Sequence, residues 1–256
     1  IEVQRGAKPP RGFRGEVLNI SEINLKELDV FLSKRNASLS EVDVVAIAVQ
    51  DHGASPKGIS NRRFRIEKMR EQLSRRRRPG DLAFKEDEVP EYFIRMNSAV
   101  RASRSQFPKS KVIVADTSIA AIAGCLQDSL VAGEESVLAV NLGNGHTTAA
   151  IVLKGEICGI AEHHTQLLTP KRLERLLRDF ADGELKDEDV FNEGGHGVAF
   201  ATKPPSFSKI GLIAATGPNR HLIEKAGVGA HFAAPAGDMM MTGPMGLVAA
   251  AKRKHR

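Results

Sequence analysis

The sequence predicts an α/β protein, and three observations carry that prediction. Short apolar runs rich in β-branched residues recur along the chain, at 42–49 (VDVVAIAV), 112–115 (VIVA), 137–140 (VLAV) and 210–214 (IGLIA). Their length and composition suit buried strands. Between them lie segments whose apolar residues repeat at helical spacing, the alternation that builds a sheet with helices packed on it. The third observation is the stretch 136–161, SVLAVNLGNGHTTAAIVLKGEICGIA, which reads as strand, turn, strand, turn, strand.

Taken in order, residues 1–15 carry Gly6, Pro9, Pro10, Gly12 and Gly15 among basic side chains and read as an extended or mobile segment. A helix follows from Asn24, a plausible N-cap with Glu27 completing a capping-box pattern, and Leu25, Leu28 and Leu32 lie on one face. The strand at 42–49 ends in Gln50, Asp51, His52 and Gly53. That is where α/β sheets bind ligands, although a plain strand-to-loop exit looks the same. A helix is expected over 61–78, with Ile66, Met69 and Leu73 inward and Pro79-Gly80 as its stop. An acidic loop covers 80–89, and a second helix is expected over 90–105 with Phe93, Met96 and Val100 on one stripe.

The strand at 112–115 ends in Asp116, ahead of a small-residue helix over 119–126. An aspartate at that corner can cap the helix or face a ligand as a base. In 136–161, Asn144-Gly145 is a hairpin signal because both residues tolerate positive φ, and Lys154-Gly155-Glu156 makes the second turn. A glycine-rich turn flanked by hydroxyls can cradle an anion such as phosphate, or be an ordinary polar turn. Thr169-Pro170 opens a helix with Leu173, Leu176, Leu177 and Phe180 inward, closed by Gly183. An acidic loop and Gly194-Gly195-His196-Gly197 come next. The run at 210–214 leads into Thr216-Gly217-Pro218-Asn219-Arg220 and a helix through Ile223, and a terminal helix is expected over 244–252.

Composition narrows the function classes. With 256 residues the chain can hold one large domain or two small ones, each with its own core. No apolar run approaches the roughly 20 residues of a bilayer span, so no membrane partner is expected. Ile1 in place of Met points to sequence upstream. The net charge of +6 lies largely in Arg75 to Arg78 and in Lys252, Arg253, Lys254 and Arg256. Such runs can hold nucleic acid but more often form solvated helix ends, and aromatics at 5% offer no base-stacking platform, so nucleic acid is not the expected partner. The two cysteines, Cys125 and Cys158, fit burial in a reducing cytoplasm. They exclude a cluster-binding radical enzyme, which needs a close cysteine triplet.

Two chemistries could use these parts. Four of the eight histidines fall at 146–196, and His146, Glu162, His163, His164 and His196 could ligate a metal, although no pair has the helical i, i+4 spacing of zincins. The other is phosphate handling. No GxxxxGK[ST] is present, which excludes a P-loop.

VLAVNLGNGHTTAAIVLKGEI resembles the second phosphate-binding hairpin of the actin, sugar-kinase and heat-shock-chaperone superfamily. VIVADTSIAAIAGC resembles that family's first connecting segment, IGLIAATGPNRHLI its adenosine segment, and GPMGLVAAAKR the small-residue helix that closes the hinge. VVAIAVQDHG is similar to the strand and substrate-side loop of its carbohydrate kinases. NLGNGHTT, AEHHT and GGHG look most like an uncharacterised, largely prokaryotic branch labelled as relatives of pyruvate formate-lyase activating proteins. The chain departs from the superfamily in two ways: no Asp-x-Gly hairpin precedes residue 40, and Asn141 stands where the second hairpin carries Asp.

The resemblance implies two ribonuclease H-like lobes of the actin-like ATPase type, the first of them truncated. Residues 1–133 with 243–256 would form one lobe and 134–242 the nucleotide-binding lobe. ATP and Mg²⁺ would be the cofactors. Gly143, Asn144, Gly145, His146, Thr147 and Thr148 would hold phosphate, Thr216 and Gly217 would line the adenosine, and Asn141 would face a hydrated Mg²⁺. Asp116 would be the catalytic base or water-positioner, and Gln50, Asp51 and His52 would face a small-molecule or protein acceptor. A phosphotransferase or ATPase is the leading expectation. The alternatives are a nucleotide-responsive regulatory protein without fast catalysis, favoured by Asn141, and a histidine-ligated metal enzyme.

Overall fold

The computed structural model describes residues 11–15, 22–39 and 42–255, arranged as two β-sheets with helices between and around them. The N-terminal segment read as extended lies mostly outside the described residues.

The smaller sheet has the order β1-β3-β2. β1 (Val44–Ala48) runs parallel to β3 (Lys111–Ala115), and the two-residue β2 (Phe84–Lys85) pairs antiparallel to β3. Alternation along β3 decides its packing: Val112 and Val114 face α3 (Ile94–Gln106), while Ile113 and Ala115 face the terminal helix α8 (Thr242–Lys254). Ahead of this sheet, α1 (Leu25–Ser33) begins as expected, with Asn24 Oδ1 accepting from the Glu27 N–H.

The larger sheet has the order β7-β6-β5-β4-β8-β9. Its strands are β4 (Ser136–Leu142), β5 (His146–Leu153), β6 (Glu156–His164), β7 (Gly197–Phe200), β8 (Leu212–Thr216) and β9 (His231–Phe232). β4 to β7 form an antiparallel meander, and β8 and β9 run parallel to β4. An antiparallel ribbon extended on one side by parallel strands is the ribonuclease H-like order. One face packs on α2 (Asn61–Arg75) through Ile66, Met69 and Leu73 and on α4 (Thr117–Cys125) through Ile119 and Ile122. The other face packs on α5 (Pro170–Asp182) through Leu173, Leu177 and Phe180. The short α6 (Asp187–Asn192) and α7 (Leu222–Lys225) fill connections.

α4 and α8 approach so closely that glycine is required. A Cβ on Gly246 would lie 1.9 Å from the Ala120 carbonyl oxygen, and one on Gly124 would lie 1.8 Å from that of Thr242. This small-residue seam ties the terminal helix to the segment that leaves the first sheet for the second.

Several expectations need correction. Asn144 and Gly145 do not adopt positive φ; the two-residue loop closes with the Gly143 N–H donating to the His146 carbonyl at 2.9 Å. The left-handed turn lies at the next hairpin, where Lys154 has φ 51° and Gly155 φ 78°. The second helix starts at Ile94, not residue 90, because Pro90 to Phe93 form a turn. The helix expected through Ile223 is the single turn of α7, and the acidic loop contains α6. The short edge strands β7 and β9 carry no periodic signal in the sequence.

Candidate functional site

Pleating sorts the chemistry of 141–164 onto two faces. Cross-strand partners point the same way, so Glu162 opposite Thr148, Thr148 opposite Asn141 and Asn141 opposite Thr216 form one polar row across four strands. His146 lies opposite His164 one step further along the same face. Thr147 and His163, opposite each other, point to the α5 side. There Thr147 shares a hydrogen bond of 3.0 Å with the Thr165 hydroxyl, and His163 keeps Nε2 buried without a partner. The sheet therefore separates His163 from the other histidines proposed with it.

The polar row lies under α2 and α4, and its hub is Arg65. This buried guanidinium donates from Nε to Glu162 Oε1 (2.6 Å) and from Nη2 to Glu162 Oε2 (2.7 Å). It also donates to Asp116 from Nη1 (2.8 Å) and Nη2 (3.1 Å), and to the Asp51 carbonyl (3.0 Å). Thr148 Oγ1 adds a bond of 3.3 Å to Glu162. Burial drives the carboxyl of Asp116 upward, but Arg65 and the Ser118 hydroxyl and N–H outweigh it and hold the group down at about 2. Glu162 is likewise held below its usual range, burial being outweighed by Arg65. Asp116 is also the N-cap of α4, accepting from the Ser118 N–H at 2.9 Å. Asp51 performs the same service for α3: its Oδ2 accepts from the N–H groups of Arg95 (2.7 Å) and Met96 (3.0 Å), and its Oδ1 from Gly53 (2.9 Å). All three acids at the junction are committed.

Four histidine rings gather at the same junction. His52 follows β1, His146 starts β5, His164 ends β6 and His196 immediately precedes β7. Ring centroids of His146 and His196 lie 4.8 Å apart; His52 is 5.1 Å and His164 4.9 Å from both. One nitrogen from each of His52, His146 and His196, with a Glu162 oxygen, all lie within 4.8 Å of one another. The backbone fixes two of these positions: the His196 N–H donates to the Glu162 carbonyl (2.9 Å), and Arg62 clamps the preceding Gly195 carbonyl (2.5 Å) while stacking on Phe191. Burial pushes His146 down to about 4 and His196 to about 3, and lowers His52, with the Arg65 charge adding to the effect. At neutral pH His52, His146 and His196 are therefore uncharged, and each carries a lone pair on one ring nitrogen.

The hairpin residues lie beside this cluster. Asn144 and Gly145 are exposed at the tip, while the Gly143 and Gly145 carbonyls accept from Asn219 Nδ2 and the Thr165 N–H, both at 3.0 Å. Gly217, with φ 94°, passes so close that a Cβ there would lie 2.5 Å from the Leu142 carbonyl. Thr216 is buried and its hydroxyl donates to Thr242 on α8 (3.2 Å). The hairpin tip and the Thr216-Gly217 turn are thus neighbours, as the resemblance implied. Gln50 joins His146, with its amide nitrogen 2.5 Å from Nδ1.

Two participants escaped the sequence reading. Arg65 lies four residues before Met69 and eight before Leu73, so it is an arginine on an inward stripe, which announces a buried acid. From the sequence His52 is expected to face an acceptor; nothing local connects it to histidines so far along the chain.

The fold and site define an α/β protein with a ribonuclease H-like sheet and a polar, histidine-rich junction between two sheets. The chain belongs to the family described as "Putative pyruvate format-lyase activating enzyme (DUF1786)", whose model matches residues 3–222. That agrees with the branch its motifs resemble. No curated protein matches it. Among solved structures it is similar to "a putative N-acetylmannosamine kinase" from Listeria monocytogenes, at TM-score 0.42 and 10% identity over 91% of this chain and 86% of that one. It is also similar to MreB 5 of Spiroplasma citri bound to AMPPNP, at TM-score 0.37 and 11% identity over 65% and 66% of the two chains. Among the described residues no helix is long and apolar enough to cross a membrane.

Proposed function

We propose that the protein binds a nucleotide at the hairpin tip and the Thr216-Gly217 turn, and acts as a nucleotide-responsive binding protein rather than a fast phosphotransferase. The nucleotide part is supported by the ribonuclease H-like strand order and by the adjacency of residues 143–145 to the turn at 216–219. The α4–α8 seam beside them supplies the two helices a hinge would use.

The observation that carries the second half is the commitment of the acids. Phosphoryl transfer needs a carboxylate to hold Mg²⁺ and another to orient the nucleophile. Asp116 and Glu162 have their oxygens taken up by the shared Arg65 guanidinium, Asp51 caps a helix, and Asn141 brings no charge. The residues present do not fit a protein-held Mg²⁺, so a bound ATP would carry its own ion. For the same reason Asp116 is a positioning group for Arg65 and α4 in this reading, not a base.

Calorimetry of the full chain with ATP and Mg²⁺, followed by a phosphate-release assay, tests both halves. Saturable binding with release no faster than the buffer blank is expected. Sustained release would reinstate the phosphotransferase, and no heat of binding would remove the nucleotide.

A further inference from the structure

The four-histidine junction has a different chemistry from the nucleotide reading and stands without it. Uncharged imidazoles repel when their lone pairs converge, so such a cluster needs N–H donors in line or a cation at its centre. Only one histidine–histidine hydrogen bond links the four rings, between His52 Nε2 and His196 Nε2 at 3.2 Å. That spacing also suits two ligands of one ion: with metal–nitrogen bonds of about 2.0–2.1 Å and a tetrahedral angle, ligand nitrogens lie about 3.3 Å apart.

The flanks of the rings point the same way. His196 Nδ1 lies 3.1 Å from Glu162 Oε1, yet it is out of line for a hydrogen bond and otherwise buried without a partner. His146 Nδ1 faces the Gln50 amide, and a half-turn of that amide presents Oε1 to an Nδ1–H. A carboxylate behind one imidazole and a carboxamide behind another leave the Nε2 atoms for an ion, the outer support that metal-ligating histidines carry. Glu162 itself is a poor ligand, because Arg65 holds both its oxygens.

We infer that His52, His146 and His196 bind a divalent nitrogen-seeking ion of the Zn²⁺, Co²⁺ or Ni²⁺ class through Nε2, with Gln50 and Glu162 as supports and His164 beside the open fourth position. Nitrogen donors select these metals over Mg²⁺ and Ca²⁺, which demand oxygen. Because His52 follows β1 of the smaller sheet while His146 and His196 belong to the larger one, the ion would also clasp the two sheets together.

The test is calorimetric titration of the metal-stripped full chain with ZnCl₂, with Co²⁺ absorption as a geometric readout and thermal melting with and without Zn²⁺. Expected are one equivalent bound in the presence of millimolar Mg²⁺, a tetrahedral cobalt spectrum and a raised Tm. His52→Gln and His146→Gln, both at half-buried positions, should each weaken binding at least about tenfold, and Gln50→Leu about 10–100-fold. His221→Ala, which alters an exposed histidine paired with Glu224, should bind like the parent. If His146→Gln fails to fold by circular dichroism, His52→Gln carries the test alone. No saturable binding, or parental affinity in His52→Gln, overturns the site. Zinc binding with no response to ATP supports it and removes only the nucleotide reading.

Discussion

Replacing Arg65 with methionine tests the organisation of the junction directly. Methionine keeps the length and the apolar stem but removes six hydrogen bonds: two to Glu162, two to Asp116, one to the Asp51 carbonyl and one to the Ser118 hydroxyl. Both carboxylates then lie buried without a counter-ion, and breaking a buried pair this way costs about 3–5 kcal/mol. For a chain of this size that corresponds to a fall in Tm of roughly 6–20 °C, at 2–4 °C per kcal/mol.

The pH dependence separates this explanation from a simple packing defect. In the parent, Asp116 and Glu162 titrate below their ordinary values, Asp116 at about 2. Their contribution is therefore present above the unfolded carboxyl range, constant from pH 7 to 5, and lost only as pH falls toward 2. In the variant the Arg65 charge no longer opposes burial, only the Ser118 donors at Asp116 and the Thr148 hydroxyl at Glu162 do, and both carboxyls are expected to rise above their unfolded values. The native variant then takes up protons on acidification and recovers stability. The buried histidines lose stability on acidification in both proteins, because burial lowers their native pKa; the variant lacks the Arg65 charge that adds to this lowering, so its loss is smaller and narrows the gap in the same direction. The gap should narrow by about 1–2 kcal/mol between pH 7 and 5, at 1.36 kcal/mol per unit of pKa difference. Urea denaturation at both pH values measures it. A gap under about 1 kcal/mol at pH 7, or an equal gap at pH 5, would refute the role of Arg65 as the counter-ion.

Two further changes probe the frame around the site. Gly246→Ala places a methyl 1.9 Å from a backbone oxygen that no rotamer can move, so α8 must separate from α4; destabilisation of about 1–3 kcal/mol or more in urea is expected, and a neutral result would mean that the seam is loose. Lys154→Asn puts a residue that tolerates φ 51° into the second hairpin turn while keeping its N–H bond to Glu135, and a rise in stability of up to about 1 kcal/mol should appear as a higher urea midpoint.

The sequence exposed most of the scaffold, for identifiable reasons. β4 to β6 are legible because the apolar runs are interrupted by two short turns. α5 is legible because Thr169, Pro170 and Gly183 mark both its ends, and the structure shows each acting as read. β7 and β9, at four and two residues, are too short for a period to show and exist because β6 and β8 offer open edges. The turn at Asn144-Gly145 differs in conformation from what its residues permit: tolerance of positive φ is a permission, and the contacts of Gly143 and Gly145 with Asn219 and Thr165 decide the path. At the site, the adjacent pair His163-His164 could not both belong to one cluster, since neighbours on a strand face opposite ways. His52 and Arg65 are invisible as partners because their contacts to His196 and Glu162 span 144 and 97 residues, separations that only the tertiary fold closes.

The family's description invokes an activating enzyme of radical chemistry, and the thiols of this chain bear on that. An iron–sulfur cluster needs thiolates that converge on one point. Cys125 lies on α4, packed on one face of the larger sheet, and burial pushes its thiol up to about 12. Cys158 lies at the bulge of β6 and packs on the opposite face. The sheet stands between them, so these 256 residues cannot bring two thiolates together without unfolding. Imidazoles do converge, from four separate strand ends, beside an arginine that occupies the carboxylates of Asp116 and Glu162. A metal held at this junction would therefore meet nitrogen donors, as the inferred site requires, and not a pair of thiolates.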